Sequence, residues 1–339
     1  MKEGHAPVPV ANAASSGTRH ADVLVVGAGM AGLTAAAELH GSGRSVLTID
    51  KGRGPGGRMA TRRIGHAVFD HGAQFVTARD PRFAASMAEW ERRGAAREWC
   101  RGFAGEHDGH PRWRGSAGMT SIAKAIAAPL DVMTNTRLVS LRVAEELWSA
   151  DTADGQTMTA RGVVLTAPVP QSLALLDAVK VPLPPRARAA LTAVTYERCL
   201  AVMAELEGPS RVPPPGGFAP PSDLVAWIAD NQAKGISSVP AVTLHATDSF
   251  SRLWWDRDRR ETGSELLRAC ERWLGARVAG FEVHGWLYSR PVTVAAGPAF
   301  VALETPPLVF AGDAFGGARV EGAALSGWAA ASALQRLVG

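Results

Sequence analysis

Apolar and polar positions divide this chain into a few kinds of segment. Unbroken apolar, β-branched runs occur at 21–26 (ADVLVV), 44–49 (RSVLTI), 162–167 (GVVLTA) and 308–311 (LVFA). Such runs read as strands buried on both faces. Stretches rich in good helix formers follow at 33–40, 80–97, 118–129, 251–274 and in the alanine-rich C-terminal tail, and these read as helices. The stretch 80–97 carries an Asp80 cap and a first-turn proline, and Phe83, Met87 and Trp90 form its apolar face. Alternating segments at 66–69, 131–144, 224–228, 241–246 and 281–288 read as strands, the last three in one antiparallel sheet. Residues 99–114 read as irregular, 183–205 as mixed pieces, and the Pro/Gly-rich 208–221 as a long loop.

The first strand and helix enclose Gly27-Ala28-Gly29-Met30-Ala31-Gly32, a G-x-G-x-x-G turn. Gly27 permits the tight turn, Gly29 lets a diphosphate approach the backbone, and Gly32 lets helix and strand pack closely. The diphosphate then sits on the free N–H groups of the helix N-terminus. Asp50 ends the second strand, where a carboxylate can accept from ribose hydroxyls. Strand, turn, helix and acid together predict a dinucleotide site. Residues 52–58 (GRGPGGR) add a second glycine cluster and the guanidinium fork of Arg58 for the same diphosphate. That cluster resembles the second glycine motif of glutathione-reductase-type and amine-oxidase-type flavoproteins, so FAD is expected rather than NAD.

Near the C-terminus the apolar run 308–311 leads into Gly312-Asp313, then RVEGAALSG at 319–327 and a helix. Small residues there let a ring system lie on the helix N-terminus, whose positive end would face the part of an isoalloxazine where charge collects on reduction. Asp313 suits ribityl hydroxyls. In the segment 70–75 (DHGAQF), Gln74 offers a donor and an acceptor to a flavin edge or a substrate amide, and Phe75 an aromatic wall.

Composition narrows the partners. The 339 residues are 46% hydrophobic and 20% charged, with a formal net charge of +4, as in a soluble globular chain with a substantial core. Basic residues are scattered among acids, so no nucleic-acid partner is expected. No apolar run is long enough to span a bilayer, and the first twenty residues lack a signal-peptide apolar core and read as a disordered arm. Cys100, Cys199 and Cys270 lie far apart with no C-x-x-C. That pattern fits free thiols, a reducing cytoplasmic setting and no metal site.

Taken in order, GAGMAG, IDKGRGPGGRMATR, FDHGAQF, GMTSIAKAIA, VAWIADNQAK with VTLHAT, HGWLYSRP and AGDAFGGARVEGAALSGWAAA resemble the bacterial renalase-like flavoproteins across most of 21–339. The nucleotide motifs are shared with the wider amine-oxidase superfamily. The resemblance implies an α/β fold: a Rossmann-like FAD-binding domain of the p-hydroxybenzoate-hydroxylase/amine-oxidase type, with an interleaved α+β substrate domain on a mixed, largely antiparallel sheet. The expected division is an arm at 1–20, an FAD domain from 21–78, 118–170 and 305–339, and a substrate domain from 79–117 and 171–304.

It further implies non-covalent FAD and oxidation of the 2- and 6-dihydro isomers of NAD(P) to NAD(P)+. Hydride passes to flavin N5, and O2 is reduced to hydrogen peroxide. A dihydropyridine needs a flat slot more than a strong base. By motif position, the expected FAD contacts are Gly27, Gly29, Met30, Ala31, Gly32, Asp50, Lys51, Gly57, Arg58, Met59, Gln74, Phe75, Val139, Gly312, Asp313, Val320 and Ala323. Gln74, His245, His284, Trp286 and Tyr288 are the expected pocket residues, with His284, Trp286 and Tyr288 sharing one strand face by parity. Leu287 stands where the family carries a basic residue. A flavin amine oxidase acting on a small amine, a biosynthetic FAD-dependent dehydrogenase, and a flavin-binding protein without turnover stay open as alternatives.

Overall fold

The computed structural model describes residues 17–103 and 106–338, and the expected arm lies outside them up to residue 16. The chain opens with β1 (Arg19–Val26), α1 (Met30–Gly41) and β2 (Val46–Ile49). β1 begins inside the expected arm because Arg19 and His20 pair with Met158 and Thr159 of a distant strand. A 3₁₀ turn (Gly57–Met59) leads to the hairpin β3 (Thr61–Ile64) and β4 (Ala67–Asp70), and then to α2 (Pro81–Arg92). The Asp80 carboxylate caps α2 by accepting from the N–H groups of Arg82 and Phe83.

The segment expected to be irregular instead forms an antiparallel hairpin, β5 (Ala96–Phe103) and β6 (Glu106–Gly115). Two register shifts, at Glu98/Cys100 and Cys100/Gly102, break its alternation and so hide the period of two. Next come α3 (Thr120–Ala127), β7 (Asp131–Met133), β8 (Leu138–Ala144), β9 (Leu147–Thr152), β10 (Thr157–Leu165), α4 (Val169–Ala178) and α5 (Pro185–Thr192). The middle supplies β11 (Tyr196–Leu206), β12 (Gly217–Phe218), β13 (Val225–Asp230), β14 (Ala241–Ala246), α6 (Asp248–Leu253), α7 (Arg259–Ala269), α8 (Glu271–Leu274) and β15 (Val278–Pro291). The chain closes with β16 (Phe300–Glu304), β17 (Pro307–Phe310), α9 (Asp313–Gly316) and α10 (Val320–Leu337).

Two sheets dominate. The first has the order β16-β17-β10-β1-β2-β7, with β9 and β8 joined through β10. β17, β10, β1, β2 and β7 run parallel. Their side chains separate by parity into two cores. Val23, Val25, Val164 and Val309 pack with α1 and α10, while Leu24, Val163, Leu165, Leu308 and Phe310 pack on the other face with α4 and α5. The second sheet, β12-β13-β14-β11-β15, is antiparallel throughout.

The ends of the chain meet because α10 lies directly on α1. A Cβ on Gly327 would sit 2.3 Å from the Ala31 carbonyl oxygen, so only glycine allows this approach, and Thr34 Oγ1 donates across it to the Ala324 carbonyl at 3.2 Å. Phe83, Met87 and Trp90 of α2 join the same core as Met30, Leu33 and Trp328. No helix among the described residues is long and apolar enough to cross a membrane.

Candidate functional site

Where β1 turns into α1, Gly27 and Gly32 leave no room for a side chain. A Cβ on Gly32 would lie 1.9 Å from the Gly27 carbonyl oxygen. Gly29, by contrast, faces open space and is the N-cap of α1, which has no side-chain cap and no acid in its first turn. Free N–H groups and the positive helix end therefore point at an open position. The second glycine cluster lies against the first: Gly56 N–H donates to the Ala28 carbonyl at 2.8 Å, and Gly29 and Gly56 bridge in parallel.

Asp50 clamps both loops, each carboxylate oxygen accepting one N–H at 2.6 Å, from Ala28 and from Gly52. One lone-pair position per oxygen remains for a ribose hydroxyl. The chain beside Asp50 is not at Val139. Thr136 and Asn135 donate their N–H groups to the Asp50 and Gly52 carbonyls at 2.8 Å. Val139 falls at a register shift in β8 and is 50% exposed. Lys51 is exposed and turns toward Gln171, at 3.5 Å. Met30, Ala31 and Met59 are buried in the cores.

Arg58 joins the two ends of the chain. Its Nη1 and Nη2 each donate to one oxygen of Asp313 at 2.7 Å, and Nη1 also reaches the Ser289 carbonyl at 3.2 Å. Gly312 N–H donates to Ser326 Oγ at 2.8 Å, tying the Asp313 loop to α10. Val320 and Ala323 lie half-buried in the first turns of α10. Glu321, between them in sequence, turns away and accepts the Arg79 and Asp80 N–H groups at 2.6 and 2.7 Å.

The segment 70–75 is built around a wholly buried ion pair that the sequence reading missed. Lys234 Nζ lies 2.7 Å from Asp70 Oδ2, with both side chains at 0% exposure. Asp70 Oδ1 accepts from Thr61 Oγ1 at 2.6 Å and Met119 N–H at 2.8 Å, so the carboxylate is satisfied on all sides. The Asp70 main-chain carbonyl accepts from Gln74 Nε2 at 2.6 Å and Thr243 Oγ1 at 3.1 Å. Gln74 Nε2 spends its second hydrogen on the Gly72 carbonyl at 3.1 Å, which leaves the buried Gln74 Oε1 without a partner.

The His71 carbonyl accepts Trp286 Nε1–H at 2.8 Å, and His245 Nε2 lies 3.1 Å from it. Both Gln74 hydrogens being engaged, His245 carries its proton on Nε2 and keeps Nδ1 as the acceptor. The His71 ring stacks on Trp286 at 5.1 Å and meets His284 edge-on at 4.8 Å, and its Nδ1 is buried without a partner. Burial first, then the neighbouring His284 and Arg62, lowers the His71 pKa to about 3. Burial also lowers His245 to about 4, against the raising effect of its bond to the His71 carbonyl. His284 shifts down for the same leading reason. All three imidazoles are therefore neutral near pH 7.

The expected trio on β15 separates. His284 and Trp286 touch at 4.4 Å, but Tyr288 packs edge-on against Tyr196 at 5.5 Å in the core of the parallel-sheet unit. A register shift falls between Glu197 and Cys199, where the four positions from Trp286 to Arg290 span only two on β11, so regular pairing is interrupted at Tyr288. Phe75 joins Trp99, Phe103 and Trp227 in one aromatic cluster, with ring centres 5.0 to 6.5 Å apart. Trp227 pairs across the sheet with His245, and its Nε1 is buried without a partner.

These features fit a flavin dinucleotide. The uncapped helix and open Gly29 suit a diphosphate, Asp50 keeps acceptor capacity, and Gln74 Oε1 waits without a donor. His71, Asp70, Lys234 and Trp227 were missed as site residues, although all four lie in the DHGAQF and WIADNQAK segments. A lysine between small residues at the end of an apolar strand was the available signal.

Comparison with known proteins agrees. A profile for an NAD(P)-binding Rossmann-like domain matches residues 25–90, and one for flavin containing amine oxidoreductases matches 84–335. Among solved structures, a triple mutant of putrescine oxidase from a cofactor-binding redesign has a TM-score of 0.68 at 16% identity, covering 93% of this chain and 99% of that one. Wild-type putrescine oxidase bound to putrescine has a TM-score of 0.66 at 15% identity, covering 93% and 99%. At such identities the structures speak for the fold alone. The profile match from α2 into α10 goes further: this chain belongs to the flavin containing amine oxidoreductase family.

Proposed function

We propose that this chain is a renalase-like oxidase, taking hydride from the 2- and 6-dihydro isomers of NAD(P) and returning NAD(P)+, with FAD held non-covalently. When bound, FAD supplies the two-electron acceptor and passes the electrons to O2, giving hydrogen peroxide. Gly29 and the α1 N-terminus would hold the diphosphate, Arg58 and Asp50 the groups beside it, and Asp313 the ribityl chain. All three cysteines are free and none lies in the terminal flavin motif, which supports non-covalent binding and a cytoplasmic setting.

The observation that carries this reading is the charge state around Gln74. Asp70, whose carbonyl holds Gln74, has its carboxylate already engaged by Lys234. His71 and His245 are held neutral. A protonated amine entering here would meet no free carboxylate among the described residues at Gln74, and a buried lysine stands nearby. An uncharged dihydropyridine ring asks only for a neutral slot with aromatic walls, and loss of hydride makes it aromatic without a base. Phe75 and Trp227 form the wall, while Gln74 Oε1 and His71 Nδ1 offer unfilled polar positions.

The second reading is oxidation of a small amine, supported by the family and by the putrescine oxidases among the structural neighbours. One experiment separates the two. The FAD-loaded protein is mixed anaerobically with borohydride-treated NAD(P)H and, separately, with an amine panel including putrescine. Flavin bleaching by the isomers and not by amines is expected. Bleaching by amines alone would overturn the reading.

A further inference from the structure

We propose that Gln74 is a one-way acceptor that favours the reduced cofactor. Its amide is locked so that only Oε1 is free, and Oε1 accepts from the N–H that a flavin carries at N5 only after reduction. The inference concerns the cofactor, so it goes beyond the substrate reading above and holds for either substrate.

The lock is a set of hydrogen bonds. Gln74 Nε2 spends its two hydrogens on the Asp70 and Gly72 carbonyls, at 2.6 and 3.1 Å. A free glutamine amide turns over and exchanges its donor and acceptor ends. Here a turned amide would set Oε1 against both carbonyl oxygens. Neither carbonyl is free to move away. The Asp70 carbonyl also accepts from Thr243 Oγ1 at 3.1 Å, and Thr243 Oγ1 accepts in turn from Asn231 Nδ2 at 3.0 Å. Asn231 is wholly buried, and its Oδ1 accepts the Asp70 N–H at 3.3 Å. Gly72 is held from the other side, where a Cβ would lie 2.0 Å from the Arg58 carbonyl oxygen.

The amide also stands beside the cofactor motifs. Ala73 N–H donates to the Arg58 carbonyl at 2.9 Å, and the Arg58 guanidinium grips Asp313. Gln74 therefore follows directly on the seam where the second glycine loop meets the C-terminal motif. Its side chain is 6% exposed, whereas Phe75, the next residue, is half-buried in the aromatic wall. Oε1 has no partner in the protein, and a buried acceptor without a donor calls for one.

Oxidised flavin presents a lone pair at N5 and gains nothing from an acceptor there; reduced flavin presents an N–H. A fixed acceptor thus binds one redox state better than the other and raises the reduction potential. A glutamine free to turn would serve both states equally and shift nothing.

The test measures the potential of bound FAD by anaerobic equilibration with a reference dye, in the wild type, Gln74→Met and Thr243→Val. Methionine keeps the length of glutamine and removes the amide oxygen. Valine keeps the shape of threonine and disturbs the same network, but leaves Oε1 in place. Gln74→Met should weaken reduced FAD relative to oxidised FAD by about tenfold, the scale of one hydrogen bond. For a two-electron couple that is a fall of about 30 mV. Thr243→Val should move the potential far less. Wild-type protein isotope-labelled at the glutamine side-chain carbonyl gives a reading without any substitution: in the reduced-minus-oxidised infrared difference, a labelled band should move to lower frequency. An unchanged potential in Gln74→Met, an equal loss of affinity for both redox states, an equal fall in Thr243→Val, or no labelled band in the infrared difference would each overturn the proposal. No readout uses a substrate, so failure of the dihydronicotinamide reading leaves the test intact.

Discussion

Arg58 and Asp313 form a two-point ion pair, with both N–O distances at 2.7 Å, between residues 255 positions apart in the chain. The pair locks the second glycine loop to the C-terminal motif. Lysine keeps the charge but lacks the fork. Arg58→Lys is therefore expected to weaken FAD binding by about tenfold, read by titrating apo-protein with FAD and following flavin fluorescence. An unchanged dissociation constant would remove Arg58 from the cofactor site.

Gly29 and Gly32 should behave oppositely when given a methyl group. At Gly32 it would press on the Gly27 carbonyl oxygen at 1.9 Å, and Gly32→Ala should cost the apo-protein about 1–3 kcal/mol in urea unfolding. At Gly29 it meets nothing within the protein. Gly29→Ala should leave apo stability within about 0.5 kcal/mol yet weaken FAD, because the methyl occupies the diphosphate's approach. Equal effects of the two on apo stability would contradict this geometry.

The Asp70–Lys234 pair predicts a non-additive pattern. Lys234→Met strands a buried carboxylate and should destabilise by about 3–5 kcal/mol. Adding Asp70→Asn removes the stranded charge and keeps an acceptor for Thr61 and Met119, so the double variant should be more stable than Lys234→Met alone. Chemical denaturation of the single and double variants measures this, and strictly additive losses would count against an ion pair.

His71 and His245 link folding to pH. Unfolded, each titrates near 6.5; folded, they stay neutral down to about 3 and about 4. Between those values the unfolded chain holds more protons, so stability rises with pH. The contribution is complete above pH 6.5 and is lost as pH falls toward the folded values. Each histidine contributes a slope of at most about 1.4 kcal/mol per pH unit. His71→Gln should flatten the stability profile between pH 6 and 4.5, measured by denaturant unfolding at each pH. A slope identical to wild type would show that His71 titrates normally in the fold.

Much of the frame was legible from local chemistry. The glycine turn, the Asp50 strand end, the Asp80 cap of α2 and the three antiparallel strands all depend on residues close in sequence, where spacing and parity carry the information. The β5/β6 hairpin was not legible, because two register shifts erased its alternation. The contact of Tyr288 with Tyr196 was not legible either, because it joins an interrupted stretch of β15 to the start of β11. Lys234 was hidden differently. A lone lysine gives no sign of burial until its partner, 164 positions away, is brought beside it.

The sequence alone marked candidate nucleotide-binding motifs toward both ends of the chain and an antiparallel sheet between them, since backbone turns and side-chain periods are short-range properties. Tertiary structure decided what those parts do to one another. It placed α10 on α1, paired Arg58 with Asp313, buried Lys234 on Asp70, and surrounded His71 and His245 with enough protein to keep them neutral. Desolvation and ion pairing depend on everything within a few ångströms regardless of chain position, and only the folded arrangement specifies those neighbours.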